Sequence, residues 1–505
     1  MIFDKLEEYS RSGAYPFHMP GHKRRLAPEH IRETVKLDIT EIEGFDDLHD
    51  PVGIIMEAEK RAARLYGSEE THFLVNGSTG GILAAIGTFQ GQGPLLMARN
   101  CHRSVYNAAE INRIQPVYIF PERQNSFGVY GGVSGDEVRT ALLKSRDGGE
   151  DLPAAVVITS PSYPGAVSDI AGICDAAHSM GVPVIVDEAH GAHLGFSLYF
   201  PANAVKSGAD IVIQSAHKTL PALTQTALIH INGELVDRKW LRRMLTVYQT
   251  SSPSYLLMGS LDACMEMLET EGGELFEKYT ARLSAARERL AGLKNLELLG
   301  PVDFRAAGTA DYDRSKIVLR AAGCRASGRS LAEMLRRRGL EPEMAAEKYV
   351  LLMTSIGDSD EGFERLCAAA EEISEELEDV PAETAENCPA TIPAETAEDS
   401  PARGPGETAK DEQAGASAES SAEGLPAWIA VRKGSEEIPL GEAVGRIAAD
   451  YIYIYPPGVP LLVPGEIITA KAAEAVRQWL AAGLEPAGVS GTRNDPVVRA
   501  VNRSE

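Results

Sequence analysis

Between about Ile54 and Leu256 the chain alternates helical patterns with short, uninterrupted runs of branched apolar residues, and this alternation restricts the fold more than any other feature. The runs are "THFLVN", "GPLLMAR", "QPVYIF", "AAVVIT", "VPVIVD" and "ADIVIQS". A strand with no polar residue at every second position has no solvated face, so helices must cover the sheet on both sides. Strand and helix in regular succession therefore predict an α/β domain on a mostly parallel sheet. "STGGILAAIGTFQ" and "IAGICDAAHSMG" are predicted helices, the second closed by a glycine.

In such a sheet, residues just past the carboxyl ends of parallel strands converge on one crevice. Two of these ends carry reactive groups. "VPVIVDEAHGAH" ends in Asp187, Glu188, His190 and His193, and "ADIVIQSAHKTLPALTQ" ends in Ser215, His217 and Lys218. Asp-Glu-Ala-His after an apolar strand also suits a magnesium-holding helicase. That chemistry needs a glycine-rich phosphate loop with Gly-Lys-Ser/Thr, and the chain has no Gly-Lys dipeptide. A net charge of −24 also opposes a nucleic acid partner. Zinc on His190 and His193, with Glu188 nearby, stays open because any other histidine could be the third ligand. Ordinary hydrogen-bonded polar residues at a strand end stay open too.

Asp187 and Lys218 together suit pyridoxal 5'-phosphate. A lysine amine forms a Schiff base with the aldehyde, and a carboxylate keeps the pyridine nitrogen protonated so that the ring accepts electrons. "VNGSTGG" supplies a phosphate cradle, with Ser78 and Thr79 at the start of a helix whose free N–H groups favour an anion.

The ordered set "FHMPGHK", "DITEIEGFDDLHDPVG", "NGSTGG", "NCHRSVYNA", "TSPSYPG", "DEAHGAH", "SAHKTLPALTQ", "TSSPSY" and "YPPGVPLLVPGE" resembles the Orn/Lys/Arg decarboxylase family. The resemblance implies an aspartate-aminotransferase-like (fold type I) major domain with a smaller α+β domain and a C-terminal segment. It implies that Lys218 holds the cofactor aldehyde and Asp187 the pyridine nitrogen. Ser78, Thr79, Ser215 and His217 would contact the phosphate, His102 would stack on the ring and His190 would lie near it. Lys218 or His217 would return a proton to Cα, so Lys218, His217 and His102 are the expected catalytic residues; no metal is expected.

The implied reaction is decarboxylation of a basic amino acid, arginine before lysine before ornithine, to a polyamine-pathway amine. Glu41, Asp46 and Asp47 of "EIEGFDDLHD" are candidate counter-charges for its distal cation. A fold type I aminotransferase or carbon–carbon lyase would share Asp187 and Lys218, and a catalytically silent regulator would share the fold. Family motifs begin within the first 25 residues, so the receiver-like wing that builds decamers in larger members is not expected, while a homodimer or higher homo-oligomer is.

The expected division is an N-terminal arm (1–53), the cofactor-binding major domain (54–294), a small α+β domain (295–380), an acidic linker (381–424) and the C-terminal segment (425–505). The linker holds ten acidic and two basic residues and repeats "PAETAE" at Pro381 and Pro393, a composition expected to stay disordered. Six scattered cysteines without a C-x-x-C pair are expected to be reduced thiols. The polar start and the lack of any long apolar run point to a cytoplasmic protein with no membrane partner.

Overall fold

The structure, a computed structural model, describes residues 1–124, 127–149, 151–304, 308–381 and 424–503. The chain divides into two compact units. The first takes in Met1–Arg289, Leu299–Ile317 and Leu352–Leu366.

At its centre lies a seven-stranded sheet. In chain order its strands are β1 (Glu70–Leu74), β2 (Leu95–Ala98), β3 (Pro116–Ile119), β4 (Ala155–Thr159), β5 (Val184–Asp187), β6 (Ile211–Gln214) and β7 (Ala227–Ile231). Their spatial order is β1-β7-β6-β5-β4-β2-β3. Pairs from β6 across to β3 are parallel, whereas β7 runs antiparallel to both β1 and β6. Every residue of β2, β5, β6 and β7 is buried, as two-sided apolar strands require. Helices Gly77–Gly87, Arg103–Asn112, Gly135–Asp147 and Ile170–His178 connect the strands.

Strand β7, "ALIHI", was not among the expected strands because His230 interrupts its apolar run. The ring is fully buried and satisfied from both neighbouring strands: Nδ1 meets Thr71 Oγ1 at 2.8 Å and Nε2 meets Gln214 Oε1 at 3.0 Å. A paired polar side chain can therefore sit at the centre of the sheet.

The second unit takes in Leu290–Leu298, Val318–Leu351 and the described residues from Cys367 onward. It carries helix Gly328–Arg337 and most of a four-stranded sheet, in which Leu296–Leu298 pairs antiparallel with Lys316–Ala321. Its C-terminal part has its own apolar cluster. Ala472, Ala473 and Val476 of helix Ala470–Ala481 pack there with Ile438, Leu462 and Val498. Of the expected disordered linker, 381–424, all but the two end residues lie outside the described residues.

Cys101, Cys174 and Cys264 are free and buried, and Cys367 is buried as well. Cys388 lies outside the described residues. No helix among the described residues is long and apolar enough to cross a membrane.

Candidate active site

The carboxyl ends of β4, β5 and β6 are aligned by register, with Asp187 opposite Thr159 on one side and Ile213 on the other. Ser215 follows β6 and caps a single helical turn, Ala216–Thr219, that carries His217 and Lys218. The loop after β5 brings His190 back over this turn, with its Nε2 2.9 Å from Lys218 Nζ. His102 stands at the N-cap of helix Arg103–Asn112, beyond the end of β2. Its Nδ1 accepts from Ser104 N at 3.2 Å and meets Ser104 Oγ at 2.8 Å, which fixes the ring.

The electrostatics of these groups follow from burial. Asp187 is 2% exposed, and burial pushes its carboxyl above the ordinary value against the opposing pull of Lys218. Its carboxylate accepts from Ala189 N at 3.2 Å, and Lys218 and Thr159 offset part of the effect of burial, yet the carboxyl stays raised, which suits a cationic partner. His102 is lowered to about 4, first by burial and then by Lys218 and Arg103. His190 is pushed well below its ordinary value by burial, with Lys218 and Lys316 adding to the effect. Both imidazoles are therefore neutral near pH 7. Burial also lowers His217, and its Nδ1–H donates to Thr226 O at 2.8 Å.

The cradle lies at the start of helix Gly77–Gly87. Asn76 gives that helix no side-chain cap, and Gly77 takes a left-handed φ of +69°. Ser78 and Thr79 occupy its first turn, half-buried and exposed respectively. The loop after Lys218 comes alongside, since Gln225 Nε2 donates to Val75 O. Gly81 is where the helix meets the sheet: a Cβ there would lie 2.5 Å from Leu74 Cδ1 and 3.2 Å from Ile213 Cγ2. Ser215 Oγ and Thr219 Oγ1 are buried without a hydrogen-bond partner. An uncapped helix start and orphaned hydroxyls fit a phosphate, and the under-compensated Asp187 beside the half-buried Lys218 fits a protonated pyridine with an aldehyde.

Other sequence candidates are used differently. His193 Nε2 is paired with Asp313 Oδ1 at 3.0 Å, and no group of three or more His, Cys, Asp or Glu placed to hold a metal occurs among the described residues. Glu188 accepts from Gln214 Nε2 at 2.6 Å and Ala204 N at 2.9 Å, and burial pushes it up to about 8. Asp46 is corrected as a counter-charge: its carboxylate accepts from the N–H groups of Val52, Gly53, Ile55 and Met56 at 2.8–3.3 Å, closing the start of helix Ile54–Tyr66. Glu41 Oε1 is buried without a hydrogen-bond partner, and Asp47 is exposed. Sequence reasoning missed Tyr163, whose ring lies 4.4 Å from that of His190, and the buried pair Asp313 and Lys316. Tyr163 lies in the quoted "TSPSYPG", but that motif does not reveal its place beside His190, and no local pattern marks the Asp313–Lys316 pair.

The Orn/Lys/Arg decarboxylase major domain matches residues 1–312, and the C-terminal domain of the same family matches residues 422–485. The chain belongs to the Orn/Lys/Arg decarboxylase family. This decarboxylase is 30% identical to an arginine decarboxylase of Bacillus subtilis over 497 residues, covering 96% of this chain and 95% of the relative. It is 26% identical to the constitutive lysine decarboxylase of Escherichia coli, covering 93% of this chain and 75% of that protein. Among solved structures, a Francisella novicida lysine decarboxylase matches with a TM-score of 0.79 at 17% identity, over 99% of this chain and 81% of that one. The fold is that of fold type I enzymes. The protein is thus a pyridoxal-phosphate-dependent decarboxylase acting on a basic amino acid.

Proposed function

We propose that this decarboxylase acts preferentially on arginine, releasing CO2 and agmatine for the polyamine pathway. The observation that carries this reading is the near end-to-end similarity to a relative named arginine decarboxylase, with 95% of that protein covered. Lysine is the second candidate, favoured by the more distant Escherichia coli relative.

The residue roles are part of the proposal. Lys218 holds the cofactor aldehyde, Asp187 faces the pyridine nitrogen, and Ser78, Thr79, Ser215 and His217 hold the phosphate. Bound there, the cofactor supplies an electron sink for the bond from Cα to the carboxylate. Asp187 keeps that sink strong because its carboxylate is buried and its neighbours only partly offset the burial. The neutral ring of His102, locked by Ser104, offers a flat face for stacking and adds no charge beside the pyridine. His190 Nε2 accepts a hydrogen from Lys218 Nζ and so orients that amine. Protonation at Cα falls to Lys218 or to His217, whose Nδ1–H is engaged by Thr226 O and whose Nε2 is left as the exchanging atom.

A homodimer completes the reading. Phe17, Met19 and Leu26 of the N-terminal arm are 88%, 64% and 83% exposed, a surface suited to burial against another chain. The test of substrate is direct: purified protein with pyridoxal phosphate receives arginine, lysine or ornithine separately, and the amine product is identified. Agmatine formed at the highest kcat/KM is expected. Preferential cadaverine or putrescine would move the substrate, and a keto acid without CO2 would replace decarboxylation by transamination.

A further inference from the structure

Behind the candidate active site, in the same unit, lies a group of charges that the proposed mechanism does not use. Lys316 and Asp313 are fully buried and His193 is 2% exposed. Lys316 Nζ lies 2.9 Å from Asp313 Oδ2, while Asp313 Oδ1 accepts from His193 Nε2 and from Ser315 N, each at 3.0 Å. Lys316 Nζ also donates to Ser315 Oγ at 3.1 Å and to the backbone oxygen of His190 at 3.4 Å. Net attraction holds the Asp313 carboxyl below its ordinary value: burial alone would raise it, but Lys316 and His193 outweigh burial.

A wholly buried ion pair is a costly way to hold a fold, because desolvation offsets most of the Coulomb gain. Its attachments suggest what else it does. The pair grips one loop twice, through the side chain of His193 and through the carbonyl of His190, three residues apart. The inner face of that loop presents His190 to Lys218.

His190 needs such support. A functional imidazole is commonly oriented by a second hydrogen bond at its other ring nitrogen, but His190 Nδ1 is buried without one. Its orientation must come from the backbone and from packing against Tyr163. The loop is closely packed between the two contacts, since a Cβ on Gly191 would meet Glu188 Cγ at 2.6 Å and Pro161 Cδ at 2.9 Å. The cluster is anchored in turn: Asp313 N donates to Gly165 O at 2.8 Å, and Arg287 and Tyr312 both donate to Lys316 O.

We propose that Asp313, Lys316 and His193 are positioning residues that hold the His190 loop so that Nε2 stays the neutral acceptor of the hydrogen on Lys218 Nζ. This rests on the functional reading above, in which Lys218 binds the cofactor. The charged and titratable groups facing His190 are Lys218, Lys316, Asp313 and His102. Those facing Lys218 are Asp187, His190, His102 and His217. An acceptor at Nε2 favours a protonated Nζ, so a displaced His190 makes that proton easier to lose.

The test uses the double variant Asp313→Asn/Lys316→Met, which removes both charges while keeping the side-chain volumes close. The readouts are thermal melting, the pH titration of the visible absorbance of the cofactor-loaded protein, and kcat and KM. The expected result is unchanged melting, with the titration midpoint lowered by about one pH unit. A fall in kcat of about 10- to 100-fold at nearly constant KM should accompany it. A folded double variant with wild-type midpoint and kcat would overturn the inference.

Should that variant not fold, His193→Ala is expected to lower the midpoint in the same direction, and His193→Gln, whose amide can donate to Asp313, to restore it. An unmoved midpoint in His193→Ala would overturn the inference on its own. Wild-type protein that takes up no cofactor would overturn the functional reading together with this one. Wild-type protein that loads and turns over, beside an unmoved double variant, would overturn only the positioning role.

Discussion

Asp46 and Asp187 are both buried carboxylates in the first unit, yet their surroundings differ sharply. Asp46 accepts from the N–H groups of Val52, Gly53, Ile55 and Met56 at the start of a helix, and Tyr255 donates to its backbone oxygen. Asp187 accepts from Ala189 N at 3.2 Å, and Lys218 and Thr159 only partly offset its burial, while past the ends of β5 and β6 His190 Nδ1, Ser215 Oγ and Thr219 Oγ1 are buried without hydrogen-bond partners. The first region is complete as folded. The second holds polar groups whose desolvation the polypeptide alone does not offset, which is what a site preorganised for a polar ligand requires. Acidity and burial therefore do not separate these two carboxylates; how fully each is satisfied by the chain does.

Substitutions sharpen this contrast, beginning with the largest effect. Lys218→Ala should reduce CO2 release by about 10⁴-fold or more, because no neighbouring amine replaces the Schiff-base nitrogen. Its melting temperature should not fall, and residual turnover within tenfold of wild type would remove Lys218 from the mechanism. Asp187→Asn should lower kcat by about 10²- to 10³-fold while stability stays level or rises by about 1 kcal/mol, since a poorly compensated buried charge is removed. A large loss of stability in that variant would make Asp187 a structural residue like Asp46.

Asp46→Ala should do the reverse, costing about 2 to 4 kcal/mol through an uncapped helix start while kcat per folded molecule changes less than about threefold. Chemical denaturation at several pH values adds a check on sign. Burial raises the Asp46 carboxyl, but its backbone donors together bring it below its ordinary 3.8. Its stabilisation is therefore present above pH 3.8 and lost as the pH falls further, so the gap between wild type and variant should narrow in acid. Ser215→Ala is the mildest case: cofactor affinity should weaken by about tenfold, with cofactor-free stability within about 0.5 kcal/mol of wild type. A loss of cofactor-free stability would mean that the hydroxyl already has a partner in the folded chain.

The same contrast explains what could be read from the sequence. Six strands of the main sheet were legible because their apolar runs leave no solvated face, and Asp187, Ser215, His217 and Lys218 were legible because strand ends fix where such residues point. Strand β7 was hidden by His230, whose burial makes sense only with Thr71 and Gln214 beside it. Asp46 misled for a related reason. In "EIEGFDDLHD" it reads as a carboxylate available to a substrate cation, and only the returning backbone shows it accepting from Val52, Gly53, Ile55 and Met56 at the start of a helix. Lys316 opens the apolar run "KIVLRA", where a lysine ordinarily marks a solvated strand end, and its contacts with the His190 loop reach 126 residues back along the chain. Separations of that length leave no periodic trace.

The most direct measurement is to load the purified protein with pyridoxal phosphate, reduce it with borohydride and map the modified lysine by peptide mass spectrometry. A single pyridoxyl group on Lys218 is the expected result. Modification of Lys316 or another lysine, with Lys218 untouched, would contradict the assignment of the unsatisfied groups around Asp187 and Ser215 to the cofactor.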